Sequence, residues 1–329
     1  MIVLSVESSC DETSVSVTKD GKEVLSNVVL SQIDIHQAFG GVVPEIASRE
    51  HVKGITVTLD QALKEANIKA TDVDLVAVTK GPGLIGSLLT GINAAKAFAF
   101  VHELPLVGVH HIAGHIYANQ VDHEMVFPLI CLVVSGGHTE LWLMRNHFDF
   151  LKLGETQDDA IGEAYDKVAR VLGLGYPGGP IIDQLAKKGR NTIPMPKVTT
   201  KGEYDFSYSG LKSHVINTLN TMKMKQEEVK SEDFARSFQD AAVEILIEKS
   251  VKAVRDYNAK MFMIAGGVAA NSYLRERVSK VFKDIALAIP QLDYCTDNAA
   301  MIGIAGYYQY KYLGSKDTLD FKGDSKLKL

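Results

Sequence analysis

The sequence predicts an α/β protein of two duplicated lobes, and three observations carry that expectation. A strand, a short polar turn and a second strand open each half, as LSVESSCDETSVSV from Leu4 and again as LVVSGGHTELWLM from Leu132. Later in each half a strand runs through a glycine-marked turn into a helix, in LVAVTKGPGLIGS ending at Ser87 and in FMIAGGVAANS ending at Ser272. Apolar, β-branched runs alternate with helix-period segments, the pattern of mainly parallel central sheets covered on both faces. Two such lobes are expected to face each other across a cleft, with polar turns of both pointing into it. Glycine turns and helix starts present backbone N–H groups to anions, so a phosphate-bearing ligand is the natural occupant.

Element by element, strands are expected at residues 2–6, 74–79, 104–109, 129–134, 261–265 and 285–289, each bounded by turn residues. After Pro44, Val52, Ile55, Leu59 and Leu63 share one face of a helix, and Ala235, Phe238, Ala242, Ile245 and Leu246 do so later. The hairpins add antiparallel strands to each sheet. The lobe boundary falls near residues 122–127, giving lobes of 1–124 and 125–329, the first holding a metal helix and the second nucleotide-binding turns. From Lys311 the chain turns polar, with Gly314, Lys316, Asp317, Lys322 and Asp324, and is expected to be loosely held.

Composition narrows the function classes. A length of 329 residues suggests about two domains, and 46% apolar residues suffice for two cores. Met1 leads straight into IVLSV, so no targeting segment is expected, and no apolar run approaches the roughly 20 residues of a membrane span. Three widely spaced cysteines, Cys10, Cys131 and Cys295, argue against a disulfide framework and for a reducing cytoplasm. A net charge of −5 excludes coating of nucleic acid through bulk charge, so any polyanion must meet a local patch. The acid-free stretch between Asp183 and Glu203, with Lys187, Lys188, Arg190, Lys197 and Lys201, is one candidate, with an ordinary solvated loop as the alternative.

The sharpest chemical signal is HHIAGH, from His110 to His115. His111 and His115 lie slightly more than one helical turn apart, so both imidazoles project from one face and can share a metal. The duplication points to a third ligand: the equivalent helix of the second half begins near Asp297, and equivalent helix starts would bring this carboxylate opposite the histidines. Two histidines and one carboxylate leave coordination positions open for Fe(II), Zn or Mn acting on a bound ligand. A zincin peptidase is disfavoured, because Ile112 stands where its general-base glutamate would follow the first histidine.

ESSCDETS from Glu7, GGVVPEIASREH from Gly40, KGPGLIGSLLTG from Lys80, HHIAGH, VSGGHTEL from Val134, GEAYDKVAR from Gly162, YPGGP from Tyr176, DFSYSGLKS from Asp205, GGVAANSYLR from Gly266 and YCTDNAAMIG from Tyr294 follow one another along nearly the whole chain. Together they resemble the bacterial TsaD family, the transferases that install threonylcarbamoyl on tRNA adenosine and were once taken for glycoproteases. The resemblance implies a fold of the actin, sugar kinase and Hsp70 (ASKHA) type, with the active site in the interlobe cleft. It implies transfer of the threonylcarbamoyl group from threonylcarbamoyl-AMP to the N6 amine of adenosine 37 in tRNAs reading ANN codons, with release of AMP. Its metal ligands fall on His111, His115 and Asp297, and its substrate contacts on Val134, Ser135, Gly136, Gly137, His138, Asp166, Gly179, Asp183 and Asn271. One divalent metal, Fe(II) or Zn, is implied, as are a TsaB-like paralogue forming a heterodimer and a TsaE-like ATPase.

Physical roles suit these positions. The Ser135–Gly136–Gly137 turn can bring N–H groups to a phosphate; Asp166 and Asp183 can accept from ribose or threonyl hydroxyls; Gly179 and the Gly266–Gly267 turn leave room for adenine; Asn271 can bond base or sugar. Asp11 and Glu12, in the first-lobe turn, are candidates for proton acceptance or water-mediated metal contact, or are a turn's solvated acids. Two rival classes share the fold: an ATP-dependent kinase or ATPase, which would not need a paired-histidine helix, and a nucleotide-gated scaffold using the apolar surface around GGVVPEIASREH and KGPGLIGSLL.

Overall fold

The computed structural model describes residues 1–329, which divide into two compact units, 1–125 with 290–329, and 126–289. The first unit opens with β1 (Ile2–Glu7), β2 (Glu12–Lys19) and β3 (Glu23–Ser31), followed by α1 (Ile33–Gln37), α2 (Pro44–Glu65), β4 (Leu75–Gly81), α3 (Ile85–Val101), β5 (Leu106–His110) and α4 (His111–Tyr117). The second contains β6 (Leu129–Val134), β7 (Thr139–Asn146), β8 (Asp149–Glu155), α5 (Ile161–Val171), α6 (Gly178–Ala186), α7 (Ser209–Met224), α8 (Ser231–Asp256), β9 (Met261–Ala265), α9 (Ser272–Val281) and β10 (Ala286–Ala288). The last helix, α10 (Ala299–Leu313), belongs to the first unit.

The duplication is visible in the strand orders. One five-stranded sheet runs β3-β2-β1-β4-β5, and the other, read in the same sense, β8-β7-β6-β9-β10. In each, the hairpin strands pair antiparallel and the later strands parallel, so the sheets are evenly mixed rather than mainly parallel. The unbroken burial of β6 explains why LICLVV reads as a continuous apolar run instead of an alternating one. Leu4, Val6, Leu88 and Ile92 are fully buried in the first core, each contributing about 1.5–3 kcal/mol.

Three expectations need correction. Residues 290–329 do not belong with the second unit as the 125–329 division had it. They pack on the first, because α10 carries small residues where it meets the sheet: a Cβ on Gly303 would lie 2.7 Å from Ser5 Oγ, and one on Gly306 would lie 2.6 Å from Ala77 Cβ. On α2, Val52 is 65% exposed, whereas the buried stripe runs through Ala47, His51, Gly54, Ile55, Thr58 and Ala62. The polar stretch after α10 is firmly seated. Asp317 accepts from Gly108 N–H at 2.8 Å and pairs with Lys80 at 2.9 Å, Lys96 donates to the Phe321 carbonyl, and Asp324 N–H donates to the Lys80 carbonyl at 2.9 Å. Its charges bond to the sheet edge, which composition alone does not reveal. No helix is long and apolar enough to cross a membrane.

Candidate functional site

In the first unit, strand β5 delivers His110 and the chain turns at once into α4, so His111 and His115 occupy the first and fifth positions of one short helix. Gly114 between them allows α10 to approach, since a Cβ there would sit 2.7 Å from Ile302 Cδ1. That approach sets Asp297, just before the α10 cap residue Asn298, against both histidines. Its carboxylate is 3.1 Å from His115 Nε2 and 3.6 Å from His111 Nε2, and one ligand atom from each residue lies within 4.8 Å of the others. Asp297 is not the helix cap: Asn298 Oδ1 accepts from Met301 N–H at 3.2 Å. It comes to the histidines within one unit, not as the counterpart from a second lobe.

The cluster fits a cation. Both nitrogens of His115 are buried without a hydrogen bond, a costly state for an imidazole unless a ligand completes it. Behind His111, fully buried Glu7 lies 3.3 Å from Nδ1, Ser9 Oγ lies at 3.2 Å, and Thr79 donates to the same carboxylate. A carboxylate fixing Nδ1–H leaves Nε2 as the coordinating atom. The donor set of two imidazoles and a carboxylate suits one divalent metal. Burial works against the charge of His111, yet Asp297 and Glu7 together lift its pKa to about 9. Burial likewise opposes ionisation of Glu7, but His111 prevails and holds that carboxyl below its ordinary range.

Sequence reasoning passed over Glu7 and Ser9 although both lie in a quoted motif. An acid at the end of a mostly apolar strand was the available signal, because such a group, once buried, needs a partner. Asp11 and Glu12 follow in the same turn, held from α2: His51 Nε2–H donates to the Cys10 carbonyl at 2.9 Å, while Nδ1 meets Thr13 Oγ1 at 2.7 Å. Burial, then the charges of Asp297 and Asp11, raise Glu12 to about 9.

The second unit carries the remaining expected residues. Ser135, Gly136 and Gly137 form the β6–β7 turn with His138, after Val134 at the end of β6. The turn uses most of its own donors: Ser135 N–H bonds the His138 carbonyl at 2.8 Å, and Gly137 and His138 N–H both reach Ser135 Oγ. Gly136 N–H is the donor this leaves for an anion. A Cβ on Gly136, Gly137 or Gly179 would meet nothing within 4 Å, and none of the three sits at positive φ, so neither packing nor backbone geometry requires glycine there. Gly162 and Gly178 differ, since a Cβ would strike the Ser135–Gly136 backbone and Asp166 respectively. Gly266, at φ 91°, lies against the Val134 carbonyl and is required by both criteria.

Several of these side chains already have partners. Asp166 accepts from Gly178 N–H at 2.7 Å and, partly buried, has its pKa raised by desolvation. Asp183 accepts from Ser272 N–H at 3.2 Å and Ser272 Oγ at 3.0 Å, tying α6 to the start of α9. Asn271 is the α9 cap: Oδ1 accepts from Leu274 N–H at 2.8 Å and Nδ2 donates to Gln239 at 2.9 Å. Asp183 and Asn271 thus fix the start of α9, and the three unconstrained glycines have open space beside them. Lys187 lies 3.8 Å from Asp183, while Lys188, Arg190, Lys197 and Lys201 are exposed without ion pairs.

By fold the protein is of the ASKHA class. It superposes on the activator of the 2-hydroxyisocaproyl-CoA dehydratase from Clostridium difficile with a TM-score of 0.53, 13% identity, and coverage of 97% of this chain and 99% of that one. HypF gives a TM-score of 0.61 at 12% identity over 95% of this chain and 56% of its own. The particular family follows from sequence: the model for TsaD, tRNA N6-adenosine threonylcarbamoyltransferase, matches residues 23–304, and the chain belongs to that family. Relatives bearing that name include one from Staphylococcus epidermidis, 56% identical over 99% of this chain and 96% of its own, and one from Bacillus cereus, 57% identical over 97% and 94%. Its activity is acyl transfer of threonylcarbamoyl to the N6 amine of a tRNA adenosine, and the kinase and scaffold alternatives are not favoured.

Proposed function

We propose that the acyl donor is threonylcarbamoyl-AMP, that the acceptor is adenosine 37 of tRNAs reading ANN codons, and that one divalent metal, Fe(II) or else Zn, is held by His111, His115 and Asp297. The observation that carries the metal reading is the buried, hydrogen-bond-free imidazole of His115 beside Asp297. A cation there supplies positive charge to the donor's phosphate or carbonyl oxygen. Glu7 orients His111 through Nδ1. In the second unit, Gly136 N–H is the donor available to an anion, Gly137 and Gly179 leave open space beside them, and Ser135 and His138 hold the turn's shape. Asp166 anchors the glycines of α6, and Asp183 and Asn271 fix the helix start behind them.

In the reaction, the N6 amine adds to the carbamoyl carbon, the carbon–oxygen bond to the phosphate breaks, and AMP departs while N6 gives up one proton. A purine amine is a weak nucleophile, so positioning outweighs base strength. Asp11 and Glu12, at the β1–β2 turn, are the candidates for accepting that proton.

The exposed cations after α6 receive tRNA. Exposed Ile33, Ile35, Phe39, Val52, Ile85 and Leu89 on the first unit support docking of a TsaB-like paralogue, with a TsaE-like ATPase as the further partner. Cys10, Cys131 and Cys295 form no disulfide, which suits a reducing cytoplasm. The test is reconstitution with partner proteins, the adenylate-forming synthase, threonine, bicarbonate, ATP and an ANN-decoding transcript, followed by nucleoside mass analysis. A threonylcarbamoyladenosine mass that requires this chain supports the assignment; its absence, with the synthase active, overturns it.

A further inference from the structure

His110 stands beside the metal helix without a role in the site described above. The helix it precedes is only seven residues long, and helices that short owe their persistence to what holds their ends. His110 Nδ1 accepts from Ile112 N–H at 3.1 Å, capping α4 with its own ring. An accepting Nδ1 places the ring proton on Nε2, and that N–H points to the carbonyl of Leu327 at 3.1 Å. Leu327 belongs to the segment after α10, which lies beyond the matched residues 23–304.

The same segment reaches His111 by a second route. The Ser325 carbonyl accepts from Gly83 N–H at 3.4 Å, the next residue Leu84 donates to the Ser9 carbonyl at 2.8 Å, and Ser9 Oγ lies 3.2 Å from His111 Nδ1. Seating is close enough to restrict sequence: a Cβ on Gly81 would lie 1.9 Å from the Asp324 carbonyl oxygen and 3.1 Å from Leu327 Cβ. The Asp317 and Phe321 contacts anchor the segment on β5 and α3, so its end is delivered to α4 and not merely draped nearby.

We propose that His110 is a positioning residue through which the segment at Ser325 and Leu327 orients the metal-binding helix, so that this segment sets metal affinity. The proposal rests on the metal reading of His111, His115 and Asp297. Its mechanism is geometric: the Leu327 carbonyl fixes the His110 ring, the ring fixes the first turn of α4, and the first turn aims His111.

Co(II) provides a probe with its own visible absorption, independent of catalysis. His110→Asn keeps an acceptor where Nδ1 stands, and so keeps the cap, but cannot reach Leu327. Deleting residues 326–329 removes the Leu327 carbonyl while leaving Ser325 and its bond to Gly83. Each change is expected to weaken Co(II) binding by roughly three- to tenfold, the size of one hydrogen bond, and to alter the absorption band. Combined, they should be no worse than either alone, because both cut one link. Wild-type affinity and spectrum in either the deletion or His110→Asn, or additive losses when the two are combined, would each overturn the proposal. A wild-type chain that takes up no Co(II) would overturn the metal reading with it.

Discussion

In the first unit, the end of β1 and α4 gather Glu7, His111 and His115 inside the protein, the histidines against Asp297 and Glu7 behind His111. In the second, the corresponding β6–β7 turn places two glycines at the surface of an otherwise self-satisfied loop. The strand order is the same in both. What differs is how each turn gains chemistry: one concentrates charge that only a cation or proton can balance, and the other withholds side chains so that something else can approach. A duplicated scaffold thus carries a site defined by what is present and one defined by what is absent, and they should fail differently when altered.

The largest difference should come from the ligands. His111→Ala or His115→Ala is expected to abolish metal retention and lower transfer by roughly a hundredfold or more, with the fold retained. Metal analysis and nucleoside mass measure both; full transfer in a metal-free double variant would remove the distinction between the two units.

Glu7→Gln tests the support behind His111. It keeps volume and removes the charge that orients Nδ1–H, so metal affinity should drop about 10- to 100-fold. Titration with Co(II) would show it, and unchanged affinity would mean that Ser9 suffices.

Glycine substitutions sharpen the contrast from the other side. Gly136→Val, Gly137→Val or Gly179→Val should weaken nucleotide binding about tenfold or more while leaving melting temperature and metal content unchanged, because the added atoms meet no protein. Gly162→Ala and Gly178→Ala should instead destabilise by about 1–3 kcal/mol, since their Cβ atoms strike backbone. Calorimetry and thermal melts separate the outcomes; equal effects at all five positions would erase the assignment.

Neutralising Lys187, Lys188 and Arg190 should flatten the salt dependence of tRNA binding by up to about three units of slope, with adenylate binding unaffected. An unchanged slope returns the loop to ordinary surface.

The smallest effect is on pH. In the metal-free chain His111 and Glu12 both hold protons up to about 9 that the unfolded chain releases at lower pH. The folded state therefore holds the Glu12 proton from about pH 4.5 and the His111 proton from about 6.5, both up to about 9, and these two groups make stability fall as pH rises through that window, most steeply above 6.5. Bound metal displaces the His111 proton, so melting curves of the loaded chain should show a shallower slope.

The sequence by itself determined the duplicated strand and helix pattern, the one-face spacing of His111 and His115, and the glycine turn at Ser135–Gly137. Each of these is local: period, turn chemistry and side-chain type act within a few residues. It also carried the family, through motifs spread along the chain. Tertiary structure alone decided that α10 packs on the first unit, because Gly303 and Gly306 reveal their use only against Ser5 and Ala77. It decided that Glu7 stands behind His111, that Asn271 and Asp183 fix helix starts, and that the polar segment after α10 is tied down at Asp317 and Leu327. Those are pairings between residues distant in sequence, and a polar group's partner is set by where the chain returns, which local pattern does not encode.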